Sequence, residues 1–571
     1  MMKKSNTIES LLESEDLVQF RTSYLNFENY TNQQLSALIE KLRAKSITKL
    51  KVLMDYHDLL LFCLAHPRSE ELRSKFYGEL ERISEKVKEV YSSSSHKNKV
   101  TLSGSGIFGS AMTGSFSFEL VQWLNKEFPN SVKIDGVDNS DIFPPEILRF
   151  GLLPIETDLS EKKDLPLNKW LTLSSGNENK RLEQILSLFD SMKMSQDLRD
   201  YLYDSLKLFI DVDHNDKKLS RTFGHIQGGT HFYQKEEFIK KPDFKTLLQD
   251  ASLNKLYLNP EEKQEYVDTA RIALCTLFRE TDPVTFADVE GTEVYSPGRG
   301  LTIALFSLRA NRRLPLDAYV GYMAFKNGLP CAYGGGWIFR HKSKIGINIF
   351  PPYRGGESAW IYSQIIRLYH HRFNATVFEA EPYQIGKNNP EGIQSGAFWF
   401  YYRLGFRPVQ NDLYELANSE WKKISEDKKY RTGANILKKF ANSNLRLDAL
   451  NPGNKIETIP LDSQGMGNLA TQLIRDKFKG KRKEAESTFQ KYLYKVCPEL
   501  KSVSKTQEEK NSQQLLLPLS YLLLIHTNIL LENKKDFLNW TISKSGESES
   551  NFIECTQKLE KYFIELDKMK F

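Results

Sequence analysis

The chain has 571 residues and a mass of 66.0 kDa, room for three or four domains at roughly 150 residues each, so a single small module is excluded. With 40% hydrophobic, 12% aromatic and 27% charged residues, its composition is globular, which excludes disordered, collagenous and coiled-coil classes. Lys+Arg 79 against Asp+Glu 73 leaves +6, too little over this length to argue for a nucleic-acid partner.

The opening MMKKSNTIESLLESED reaches acidic residues before any apolar run, so no secretory signal is expected. Cys63, Cys275, Cys331, Cys497 and Cys555 are scattered with no Cys-x-x-Cys pair, which reads as a reduced, cytoplasmic chain. Residues 1–98 place apolar side chains three and four apart, as in SEELRSKFYGELERISEKVKEVY, and predict a helical N-terminal domain closed by a polar break at Ser92 to Asn98. Residues 99–270 predict a mixed α/β, mostly helical middle region, with a short strand at Lys99 to Ser103, a helix at Ser117 to Phe128, a strand at Val132 to Asp135 and helices to Ile210.

In residues 271–420 the texture turns to strands: GLTIALFSL, AYVGYMAF and KIGINIF, with Asn327-Gly328 as a hairpin turn. KIGINIFPPYRGGESAWIYSQIIRLYHHRF then reads as strand, Pro-Pro turn, Gly-rich loop and amphipathic helix. Free N–H groups at that helix start, beside Arg354, make a pyrophosphate site; Gly355 and Gly356 admit close backbone approach, and Ser358 and Ala359 leave the first turn open. Next, TVFEAEPYQIGKNNPEGIQSGAFWFYYRLGFRPV reads as strand, loop, helix and strand. Glu379 and Glu381 share one strand face and are candidate general bases for an amine, the alternative being a solvated or salt-bridged face.

These two segments resemble the acetyl-CoA-binding core of the GNAT superfamily of N-acyltransferases, over roughly residues 275–415, a quarter of the chain. The family's loop motif stands here as Pro351, Arg354 and Ala359, and its later Tyr-x-x-Leu-Gly-Phe as Tyr401, Leu404, Gly405 and Phe406. The resemblance implies an α+β fold, a GNAT-like mixed sheet flanked by helices, and an enzyme that transfers an acyl group from acetyl-CoA or another acyl-CoA to an amine. It implies Tyr401 as the acid for the leaving thiolate, and backbone N–H groups near Ile349 and Phe350 as the polarisers of the thioester carbonyl. Tyr401 also belongs to an aromatic run from Phe398 to Tyr402 and is equally explained by packing. Two positions depart from the family. Glu357 stands for a loop glycine, where a carboxylate repels pyrophosphate unless it points away. Gln394 stands for an asparagine seven residues before the tyrosine and keeps its hydrogen-bonding capacity.

Residues 421–571 predict a helical C-terminal region, with a polar stretch at Asn451 to Gly467 and a buried helix at Leu515 to Leu531, too polar to span a membrane. The basic run Arg475 to Lys483 motivates an alternative nucleic-acid-associated reading, against solvated helix ends. Gly104 to Gly109 spell Gly-x-Gly-x-x-Gly, a nucleotide loop or simply a flexible helix cap. Asp211, Asp213 and Asn215 lack the glycine and glutamate of a calcium loop, and His225, His231, His370 and His371 lack zinc spacing, so no metal is expected. Asp55 to Asp58 read as a surface or packing segment of a helix. The acceptor amine, whether small molecule, peptide or protein, is not identified; no membrane partner is expected. The rival to the enzyme is a binding or scaffold protein that kept the fold and lost catalysis, motivated by Glu357.

Overall fold

The computed structural model describes residues 11–93, 96–137, 144–160, 166–456, 460–503, 506–546 and 548–569. The expected polar break therefore has residues 94 and 95 outside the described residues, the opening residues 1–10 lie outside them too, and the Asn451 to Gly467 stretch lacks 457–459. Packing divides the chain into two compact units, one of Met1–Glu237, Gln264–Thr285 and Lys326–Pro330, the other of Phe238–Lys263, Phe286–Phe325 and Cys331–Phe571. The divisions expected at 98, 270 and 420 follow changes of element type along the chain, whereas these units follow packing.

The first unit holds a small antiparallel sheet in the order β1 (Ala111–Gly114), β3 (Leu208–Asp213), β2 (Val132–Val137). β3 alternates buried Leu208, Ile210 and Val212 with half-exposed neighbours, the period of two that one covered face requires. The helix Phe118–Glu127, expected from its spacing, buries Phe118, Leu120, Val121 and Leu124 in the same core as Ile185 and Phe189. Lys99 to Ser103, expected as a strand, instead forms the end of the helix His96–Leu102 and the start of the turn after it. Two apolar positions two apart fit a strand or a helix equally, and the buried Leu102 is accommodated by the helix. At the turn Asn327-Gly328 both residues have positive φ, +49° and +83°, as a type I′ turn demands.

The second unit is built on a mixed sheet in the order β12 (Arg407–Pro408), β13 (Leu445–Asp448), β11 (Val377–Ala380), β9 (Lys342–Ile345), β8 (Leu329–Phe339), β7 (Ala318–Lys326), β6 (Leu301–Ser307), β5 (Glu293–Gly298), β4 (Lys255–Leu256); β10 (Asn348–Ile349) pairs with β8. β9 and β11 are parallel and are joined through the helix Ser358–Phe373, the crossover that parallel neighbours require. β7 is buried at every residue, as a strand covered on both faces must be. Gly334, Gly335 and Gly336 have no side chain because tyrosines press on the strand: a Cβ at Gly336 would lie 2.5 Å from Cε1 of Tyr369, and one at Gly334 2.6 Å from the Tyr322 hydroxyl. β13, within the region expected to be helical, lies between β11 and the edge strand β12 and pairs with both. The fold is thus α+β, a mixed sheet flanked by helices. The Leu515 to Leu531 segment is split between the helices Gln507–His526 and Ile529–Ser543, and buries Leu516, Leu517, Leu519, Leu522 and Leu523. No helix among the described residues is long and apolar enough to cross a membrane.

Candidate functional site

β9 and β11 pair in parallel from Lys342 opposite Val377 to Lys344 opposite Glu379, and then part. β11 ends at Ala380 because Glu381-Pro382 turns the chain into the short helix Pro382–Ile385. β10 continues along β8 in the register of β9, Ile345 opposite Gly336 and Asn348 opposite Tyr333, so one edge of it faces a gap in the sheet. The Phe350 N–H donates to the Cys331 carbonyl at 3.0 Å. Alternation in an antiparallel ladder then turns the amides of Ile347 and Ile349 away from β8, toward the gap. Of the two amides expected near the thioester, Ile349 is so aimed and Phe350 is not, its N–H being spent on β8; the Ile347 N–H also faces the gap but is given to the Tyr401 hydroxyl oxygen.

Two side chains meet at the gap. The Tyr401 hydroxyl, on the helix Ala397–Arg403, donates to Oε1 of Gln384 at 3.3 Å. Burial raises the Tyr401 phenol well above its ordinary value, against the opposing hydrogen bond from the Ile347 backbone, so the group is held protonated. Tyr322 donates to the Gly346 carbonyl at 2.5 Å, and the Gln384 amide packs on the bare face of Gly346. Gln394, expected to serve here, is exposed at the last residue of the helix Pro390–Gln394 and makes none of these contacts. The glutamine that reaches Tyr401 is ten residues earlier. Only the pairing geometry singles out Ile347 and Gln384, since neither stands in a motif.

The loop expected to hold pyrophosphate precedes the helix Ser358–Phe373. Gly355 takes φ +80°, and the first amides of the helix, Ser358 and Ala359 among them, are left unused by intrahelical bonding. Arg354 is half exposed, donates through Nε to the Ile349 carbonyl at 3.2 Å, and forms an ion pair with Glu391. Glu357 does point away from the loop. Its side chain is fully buried, pairs with Arg299 (Nη2–Oε1 2.7 Å) and accepts from the Ile239 amide at 3.2 Å. The departure from glycine is therefore neutralised inside the fold.

The two carboxylates of β11 separate in role. Glu379 is buried between Lys342 at 3.1 Å and Arg446 at 2.7 Å. Burial alone would raise its pKa, but these two cations hold it below the ordinary carboxylate range, so the strand face is salt-bridged. Glu381 caps the turn after β11 and is exposed.

The remaining candidates are structural. Gly104 to Gly109 lies between a helix and β1, not between strand and helix, and its amides are consumed: Phe108 N–H by Thr222 Oγ1 at 2.9 Å, Gly109 N–H by the His214 carbonyl at 3.0 Å. Of the surface and packing readings of Asp55 to Asp58, packing describes its middle: His57 is buried, bridging Asp58 at 3.3 Å and Thr222 at 3.0 Å, and Arg221 holds Asp58 at 2.8 Å. His370 and His371 each bond a backbone carbonyl, of Ala375 and Leu248. All five cysteines are free and buried. Among the described residues no cluster of three or more His, Cys, Asp or Glu could hold a metal ion. In the basic run, Arg475 pairs with Asp476 and Lys481 with Glu484.

Comparison with protein-family models, with curated proteins and with solved structures finds no match.

Proposed function

We propose that the chain is an acyl-CoA-dependent N-acyltransferase working at the gap between β10 and β11. The observation that supports it best is the end of β9–β11 pairing at Lys344 and Glu379, beside a protonated, buried Tyr401 phenol that accepts from the Ile347 amide, with the Ile349 amide turned away from β8. The loop Arg354 to Ala359 fits a pyrophosphate by its unused helix amides and its outward glycine, with the Glu357 charge turned to Arg299. In this reading the Ile349 amide hydrogen-bonds the thioester oxygen as it gains charge. The amine nitrogen bonds to the carbonyl carbon, the C–S bond breaks, and Tyr401 gives its proton to the leaving thiolate. The proton released by the amine restores the phenol through Glu381 or water, since Glu379 is committed to Lys342 and Arg446.

The degenerate-site reading draws on one observation, the Arg354–Glu391 pair, which a bound phosphate would have to displace. Calorimetric titration with acetyl-CoA and longer acyl-CoAs separates the two. Saturable binding weakened about tenfold by Arg354→Ala, the lower end for a charge-assisted contact because this arginine is half exposed, is expected of the enzyme. Tyr401→Phe should then lower turnover of an amine with little change in binding. No binding of any acyl-CoA would refute the enzyme reading.

A further inference from the structure

On the sheet of the second unit lies a cavity of about 360 Å³, the size that takes a small molecule. Its walls include Trp337, Phe339 and Val377 from the sheet, and Leu461 beside the start of the helix Ser463–Phe478. Trp337 is 43% exposed, an unusual state for a tryptophan whose edge contact with Tyr319, at 4.8 Å, already fixes it in place. Directly opposite Trp337 in the β8–β9 register stands Lys344, so the two side chains rise from the same face of the sheet as neighbours.

The two lysines of β9 on this face are held differently. Lys342 reaches Glu379 at 3.1 Å. Lys344 is 3.9 Å from Glu381 and 3.9 Å from Asp462, both beyond hydrogen-bond distance, and is 28% exposed. Asp462 is also committed elsewhere, capping the helix Ser463–Phe478 by accepting from the Gly465 amide at 2.9 Å. An ammonium whose two carboxylate partners stand at 3.9 Å, beyond hydrogen-bond distance, beside an exposed indole at the wall of this cavity, calls for one kind of ligand.

We propose that this cavity binds a small carboxylate with a flat or extended apolar body, the body lying on Trp337 and the carboxylate on Lys344. The site borders the acyl-transfer gap at Lys344 and Glu381, but the proposal does not depend on acyl transfer. The test is calorimetric titration of the full chain with indole-3-propionate, 3-phenylpropionate and octanoate, each beside its neutral alcohol. Saturable binding of at least one carboxylate is expected, at least tenfold weaker for its alcohol and at least tenfold weaker in Lys344→Met, which keeps the alkyl stem, and in Trp337→Ala. Unchanged urea midpoints certify the variants; where one fails to fold, the acid against alcohol comparison on the unaltered chain decides. No saturable binding at millimolar concentration, equal affinity for acid and alcohol, or affinity unchanged in both variants would overturn the proposal.

Discussion

Replacing Arg299 with alanine should be among the most damaging single changes available on the loop side of the second unit. The Glu357 carboxylate beneath it has no exposed side-chain surface, and Arg299 reaches the same oxygen with Nη2 at 2.7 Å and Nε at 3.1 Å. Removing the guanidinium leaves a charge buried, which costs about 3–5 kcal/mol, against about 0.2–1 kcal/mol for an exposed pair. That is a large share of the roughly 5–15 kcal/mol by which domains are stable. Glu357→Gln should lose less, because the neutral amide still accepts from Ile239 and Arg299 keeps 21% of its side chain in water. The double variant should therefore lose clearly less than the sum of the singles. Urea unfolding followed by circular dichroism and tryptophan fluorescence, extrapolated linearly, reads these differences, provided the slopes agree between variants. A loss below about 1 kcal/mol in Arg299→Ala would show that Glu357 is not held as a buried charge.

Acid should weaken the first unit through His214, whose Nδ1 donates to the Leu219 carbonyl at 2.8 Å while Nε2 is buried without a partner. Burial lowers its pKa to about 4 from an unfolded value of 6.5, so below pH 6.5 the unfolded chain binds the extra proton and stability is lost as pH falls toward 4. The loss reaches about 2 kcal/mol at pH 5; a His214→Gln variant whose urea midpoint falls as steeply between pH 7.5 and 5 as that of the parent removes His214 as the cause. Gly328→Ala forces a side chain to φ +83° and against the Ile226 carbonyl, and should cost at least about 1–2 kcal/mol in the same assay. A neutral result there would mean that the turn relaxes freely.

Elements whose cause is local were legible in the residues. The helix Phe118–Glu127 and the helix Ser358–Phe373 follow from apolar side chains recurring at helical spacing, and the Asn327-Gly328 turn follows from two residues that tolerate positive φ. The Arg354 to Ala359 loop ahead of its helix was legible for the same reason, since glycines and a helix start are neighbours in sequence. What depends on partners far along the chain was not. Arg299 and Glu357 are 58 positions apart, and no pattern ties them until the β5–β6 turn is packed by the loop. β13 is a strand because it meets β11 and β12, and the choice of Gln384 over Gln394 rests on where a short turn aims one side chain. Periodicity and turn chemistry thus determined helices, turns and the motif-bearing loop, because they act within a few residues. The end of β9–β11 pairing, the charge state of Tyr401 and the ion pairs of Glu357 and of Glu379 were decided by tertiary packing, because pairing, burial and ion contacts are properties of groups brought together only by the fold.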